Sequence, residues 1–256
     1  VQPVNFDAAY IRRLAKAKNV DMDNLPTKEE IDRKFIETAN KKLARQKMHR
    51  YYSDSVWSGN IPLRFAFSNW DITKQADPAK AKALGKHAFI LAKQLEEKNF
   101  NIAMMGDRGV GKTSLALAMM DYLMDHGRSG MFVSTAELLR LVGDKYDDPS
   151  IVRKLRDIVR SMTEVDVLVL DDFGTEGGMT GSIKPVHKDL QDLMYQVSNA
   201  RVDFENNCSR GVTIMTTNNT KQQLKQMYEG KFIDRVFPSD ADHQLLFEGM
   251  NGVRNV

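Results

Sequence analysis

The stretch Gly106-Asp107-Arg108-Gly109-Val110-Gly111-Lys112-Thr113 directly follows an apolar run at 101–105 and opens a helical pattern reaching about Asp125. It fits G-x-x-x-x-G-K-[ST]. Its glycines permit dihedrals and a close backbone approach that a Cβ would forbid. The loop N–H groups can then turn inward, with a helix N-terminus behind them, to cradle phosphate oxygens. Lys112 would supply a mobile cation for the β- and γ-phosphates, and the Thr113 hydroxyl a ligand for Mg²⁺. Gly106, Asp107, Arg108, Gly109, Val110, Gly111, Lys112, Thr113 and Ser114 are the expected nucleotide contacts. A Gly-rich turn with no chemical role is the ordinary alternative, and the strand–loop–helix setting argues against it.

Further short apolar runs lie at 130–134, 165–170, 212–216 and 243–247, each separated from the next by helical or loop sequence. Alternation of this kind predicts an α/β fold built on a parallel sheet. Asp77-Pro78 reads as an N-cap with Pro at the first helical position, opening a helix to about Glu97.

In such a sheet, ligands bind at the carboxyl ends of the strands. Val165–Gly174 is a buried-strand run ending in two carboxylates. Asp171 would sit beside the phosphate loop and hold Mg²⁺ through its water shell, and Asp172 would polarise an attacking water. The plain alternative is a strand entering an acidic turn. Val212–Asn219 likewise ends in polar residues, so Asn218 is placed to hydrogen-bond a γ-phosphate or that water. The N-cap of the next helix falls to Asn219 or Thr220. Arg235, on a short predicted helix, either reaches a neighbouring subunit's site or pairs with Asp234 or another acid of its own chain. Arg254 either senses nucleotide in its own subunit or is a solvated residue.

Residues 1–60 read as a separate helical extension, and residues 61–256 as the main domain. Phe6 to about Lys18 predicts one helix, with Ile11 and Leu14 as its apolar points. Thr27-Lys28-Glu29-Glu30 is a capping box opening a second. Ile31, Phe35, Ala39 and Leu43 then recur along one helical face. Ser53–Pro62, with Gly59-Asn60 and Pro62, reads as a linker. The extension holds 12 basic against 8 acidic residues, while the whole chain carries a net charge of only +3. Lys41, Lys42, Arg45, Lys47 and Arg50, followed by Tyr51 and Tyr52, suit phosphate neutralisation and base stacking, or equally a solvated face. Lys145 and Tyr146 form a second such pair.

The 256 residues are 42% hydrophobic and 28% charged, as in a globular domain. No apolar run nears the roughly 18 residues that span a bilayer. A lone cysteine, Cys208, excludes an internal disulfide and a multi-cysteine zinc site, and suits a reducing cytoplasm. The five histidines are scattered without ligand spacing.

Taken together, GDRGVGKT, VLVLDDFG, IMTTNN, FIDRVF, the opening stretch IPLRFAFSNWDI and the terminal FEGMNGVR resemble the AAA+ ATPases. Among these they are similar to the bacterial replicative-helicase loaders (DnaC-like) and their IstB-type transposition relatives, over about residues 61–254. The resemblance implies a five-stranded parallel sheet of order 5-1-4-3-2, flanked by helices and without a large lid domain. It implies ATP and Mg²⁺ as cofactors, Lys112, Asp171, Asp172, Asn218 and Arg235 as catalytic residues, Thr113 and Asp171 at the metal, and Arg254 as a second sensor. Asp172 stands where many AAA+ proteins have Glu, which leaves the hydrolysis rate open. The implied role is an ATP-dependent loader that grips a hexameric helicase through its N-terminal helices, engages single-stranded DNA and forms a homo-oligomer or ring. A transposition helper that binds duplex DNA and a transposase is one alternative. A nucleotide-regulated adaptor with little hydrolysis is another.

Overall fold

Strand alternation organises the structure, a computed structural model that describes residues 7–18, 27–178, 183–250 and 252. Five parallel strands form one sheet: β1 (Ile102–Met105), β2 (Gly130–Ser134), β3 (Val167–Asp171), β6 (Val212–Thr217) and β7 (Gln244–Leu246). Their order is β2-β3-β6-β1-β7. Numbered by succession in the sheet, this is the expected 5-1-4-3-2. Successive side chains of a strand point to opposite faces. Ala103, Met131, Val133, Leu168, Leu170 and Met215 therefore enter one core, and Ile102, Met104, Phe132, Val167, Val169 and Ile214 enter the other. Burial on both faces explains why these runs read as continuously apolar.

Helices cover the two faces. α3 (Pro78–Gln94) and α4 (Lys112–Asp125) contribute Ala88, Leu91, Leu115 and Met119 to one core. α5 (Thr135–Asp144), α6 (Pro149–Glu164), α7 (Lys188–Ala200), α8 (Lys221–Met227) and α9 (Gly230–Val236) contribute to the other, through Leu138, Ile158, Leu190, Leu224 and Ile233. Asp77 caps α3 by accepting from the Lys80 amide, with Pro78 at the first turn, as expected. A two-stranded antiparallel hairpin, β4 (Val202–Asp203) with β5 (Cys208–Ser209), precedes β6 and was not expected.

The chain divides into compact units at Val1–Gln46 and Lys47–Val256. The first contains α1 (Ala8–Ala17) and most of α2 (Lys28–Ser53). Phe6, and the side chains of Ile11 and Leu14, lie outside what is described. The capping box forms, with the Thr27 amide donating to Glu30 Oε2 at 2.9 Å and the Glu30 amide to Thr27 Oγ1 at 3.2 Å. Ile31, Phe35 and Leu43 are exposed, as is Ile36, and Phe35 is 73% accessible.

The linker expected at residues 53–62 is corrected by the structure. Val56 forms a parallel bridge with Val133 at the free edge of β2: its amide donates to the Phe132 carbonyl and its carbonyl accepts from the Ser134 amide, both at 2.8 Å. Trp57 stacks on Phe132 at 4.4 Å, and Tyr51 is buried. An unpaired sheet edge is thereby covered. The Gly59-Asn60 signal marks only the turn that follows, where both residues have positive φ. Among the described residues, no helix is long and apolar enough to cross a membrane.

Candidate nucleotide-binding site

Gly106–Gly111 turns sharply between β1 and α4 on three glycines of positive φ, two of which are also tightly packed. Gly106 has φ 147°, and a Cβ there would lie 2.7 Å from Cβ of Phe247. Gly111 has φ 100°, and a Cβ there would meet the Trp70 ring at 2.7 Å. Trp70 is fixed by donating its indole N–H to the Ala81 carbonyl at 2.9 Å. The path is thus set by packing on both sides of the loop.

Four expected residues converge at the carboxyl ends of β1, β3 and β6. The Lys112 ammonium is buried and donates to the carbonyls of Gly106 (2.9 Å) and Asp107 (2.6 Å) and to Asn218 Oδ1 (2.8 Å). The Thr113 hydroxyl donates to Asp171 Oδ1 at 2.8 Å, and so does the Thr216 hydroxyl at 2.7 Å. Burial, with Asp172 nearby, pushes the Asp171 carboxyl above its usual range, against the two hydroxyls and Lys112. Thr220, not Asn218, caps α8, which leaves Asn218 to the site. Asp172 is exposed on the turn beyond Asp171, in a left-handed conformation at φ 53°. Its amide donates to Thr216 Oγ1 at 3.0 Å.

The donor set fits a nucleotide with Mg²⁺. Thr113 and Asp171 offer hard oxygens side by side, and Mg²⁺ at phosphates uses one or two carboxylates with the phosphates themselves. When bound, the ion would neutralise phosphate charge. Gln75 adds to the fit. Its amide donates to the Val110 carbonyl at 3.3 Å, so its Oε1 must face away. That oxygen is buried without a partner beside the loop, as suits a position meeting a donor on a bound ligand.

Arg235 lies elsewhere. Its carbonyl accepts from Asn101 at 2.8 Å, at the amino end of β1. Gly106 is five residues away at the other end, roughly 16 Å along an extended strand. Its guanidinium rests over the rings of Tyr195 and Phe204, while Asp234 pairs with Lys225 instead. A Cβ on Gly252 would lie 3.4 Å from the Arg108 carbonyl, and Arg254, two residues on, lies outside the described residues. Lys145 and Tyr146 both donate to Asp189, the lysine at 2.5 Å, and Tyr146 stays exposed.

Sequence reasoning missed Thr216 and Gln75. A hydroxyl in an otherwise apolar buried strand was a usable signal for Thr216. Gln75 sits in an irregular segment, where no periodicity marks burial.

Comparison with known proteins decides the family. The sequence profile of the IstB-like ATP binding proteins matches residues 13–236. The chain belongs to that family. YdaV of Escherichia coli K12 is 29% identical over 181 residues, covering 70% of this chain and 65% of YdaV, just under two thirds of its length. The replicative helicase loader DnaC of Buchnera aphidicola (Acyrthosiphon pisum) is 26% identical over 184 residues, covering 68% of this chain and 71% of that one. Among solved structures, DnaI superimposes with a TM-score of 0.53 at 22% identity, over 73% of this chain and 94% of DnaI. AMPPCP-bound DnaA of Aquifex aeolicus gives 0.50 at 15% identity, over 69% and 49%. These superpositions show a shared fold. This IstB-like chain therefore resembles the helicase-loader group in sequence family and in fold.

Proposed function

We propose that this IstB-like protein is a magnesium-dependent ATPase that loads a hexameric replicative helicase onto single-stranded DNA. One observation carries the chemical part: at the phosphate loop Lys112 hydrogen-bonds Asn218 and Thr113 hydrogen-bonds Asp171, bringing residues from three separate strand ends together. Lys112 binds and orients the phosphates, Thr113 and Asp171 hold the metal and its water, and Asn218 and Asp172 orient the attacking water. The similarity to DnaC supports the loader role, and the exposed Ile31, Phe35, Ile36 and Leu43 supply an apolar face for the helicase.

Arg235 supports a site shared between subunits of a homo-oligomer. It stands too far from its own loop, at the opposite end of β1, to serve that site. Arg235→Ala is expected to leave nucleotide affinity within about threefold and to slow turnover in the assembled state by about a thousandfold. Steady-state hydrolysis across a protein concentration series checks this, and unchanged turnover in the assembled state would remove the arginine from the chemistry.

Co-purification with the replicative helicase of its own replication system, with and without ATP, tests the loader reading. Native protein is expected to be retained and Phe35→Ala/Leu43→Ala to be lost. Retention of that double variant at native level would exclude the α2 face, and failure of native protein in both nucleotide conditions would exclude the loader role. The family's own name favours a second reading, a transposition helper. The IS1162 ATP-binding protein of Pseudomonas fluorescens is 35% identical over 74 residues, 29% of this chain and 30% of that one. Preference for duplex over single-stranded DNA would select it.

A further inference from the structure

Glu176 is a part-buried carboxyl that the phosphate site does not use. It lies in the single turn Thr175–Gly177, just beyond the acidic pair, with donors on three sides. Its Oε2 accepts from the Thr135 hydroxyl at 2.9 Å and the Gly174 amide at 3.1 Å, and its Oε1 from the Tyr228 hydroxyl. Burial pushes this carboxyl above its usual range, although all these hydrogen bonds oppose the rise. An acid kept in such a place calls for a reason.

Two of the three donors also hold the acidic turn, and the third, the Thr135 hydroxyl, has a single proton and gives it to Glu176, fixing that carboxylate. Gly174, at φ 96°, ends the turn. Tyr228 stacks on Phe173 at 4.9 Å with the rings 11° apart. Between these anchors Asp172 keeps its left-handed backbone, a conformation that persists only where the surroundings over-determine it. The neighbouring strand contributes as well, through the Thr216 hydroxyl on the Asp172 amide and the Thr216 carbonyl on the Phe173 amide at 2.8 Å. Glu176 is the one acidic side chain in this set of restraints.

We propose that Glu176 is a positioning residue for Asp172: fixed by Thr135, it holds the Gly174 amide and, through Tyr228, the Phe173 ring, and so aims the Asp172 carboxylate from the far end of the Asp172–Gly174 turn. This rests on the reading above that Asp172 orients the attacking water. A carboxylate aimed wrongly by about 1 Å can lose a hundredfold in rate while ground-state binding survives.

The test measures Mg·ATP affinity and single-turnover hydrolysis for the full chain, Glu176→Gln, Thr135→Val, Asp172→Asn and the double variant Glu176→Gln/Asp172→Asn. Glu176→Gln and Thr135→Val are expected to bind nucleotide within about threefold of native and to hydrolyse about tenfold slower or worse. The double variant is expected to be no slower than Asp172→Asn, because groups acting as a unit are not additive. A merely structural role would instead give additive losses. Thr135→Val removes the hydroxyl that fixes Glu176 while leaving the carboxyl in place, so it carries the test should Glu176→Gln fail to fold. Native hydrolysis by Glu176→Gln or Thr135→Val, or additive losses, beside a slow Asp172→Asn would overturn the clamp alone. Native hydrolysis by Asp172→Asn would overturn the role of Asp172 itself, and the clamp with it.

Discussion

Lys112→Ala is expected to lower the affinity for Mg·ATP about a hundredfold and to abolish measurable hydrolysis. The ammonium is buried and gathers two loop carbonyls and Asn218 Oδ1 around one charge. A charge-assisted hydrogen bond contributes about 1.5–3 kcal/mol, and 2.8 kcal/mol is about a hundredfold in affinity. Truncation removes the cation that would meet the β- and γ-phosphates and frees Asn218 from its anchor. Calorimetric titration with nucleotide and Mg²⁺ checks this directly. Native affinity in the Ala variant would mean the nucleotide binds elsewhere. The fold should persist, because the loop is also pinned by Trp70 and Phe247.

Arg201→Met is expected to be the most damaging single change to stability, about 3 kcal/mol or more, with little direct effect on nucleotide affinity in protein that stays folded. The guanidinium is buried and donates to the carbonyls of Met162 (3.0 Å), Val165 (2.6 Å), Asp166 (3.3 Å) and Val212 (2.7 Å) and to the Thr213 hydroxyl (3.3 Å). It ties the amino ends of β3 and β6 together, at the opposite end of the sheet from the phosphate loop. Burial lowers its pKa to about 10, so it stays charged at neutral pH. Methionine would leave these carbonyls without donors, at about 1–3 kcal/mol for each that water cannot reach. For a chain of this length the loss corresponds to roughly 6–12 °C in Tm. Arg201→Lys should fall nearly as far, since one ammonium cannot span the same fork of acceptors. A native melting temperature in the Met variant would show that water satisfies those carbonyls.

The contrast between these two residues shows what the sequence could and could not reveal. Lys112 belongs to a pattern whose spacing is dictated by phosphate geometry, so it was legible without any tertiary information. Arg201 ends a helix, where an arginine is ordinarily solvated, and only the packing of α7 beneath the sheet makes it a clamp. The same division runs through the site. Asp171 and Asn218 terminate apolar strands and announce themselves by position. Glu176 and Gln75 lie in turns, and their burial is created by Thr135, Tyr228 and Val110, which are distant in sequence. The linker expectation failed for a related reason. Gly59 and Asn60 do make a turn, but the helix has already ended at Ser53, and Val56 was free to bond to the edge of β2, a contact 77 residues away that no local pattern encodes. Arg235 was placed on the right short helix. That it stands at the opposite end of β1 from the loop needed the fold.

The most direct test of the loader reading is whether the chain transfers its helicase onto closed circular single-stranded DNA, which a closed hexamer cannot thread without help. With Mg·ATP, native protein is expected to place helicase on the circle in a form that survives gel filtration, and Lys112→Ala to place none. Equal loading with and without this protein, or full loading by Lys112→Ala, would contradict it.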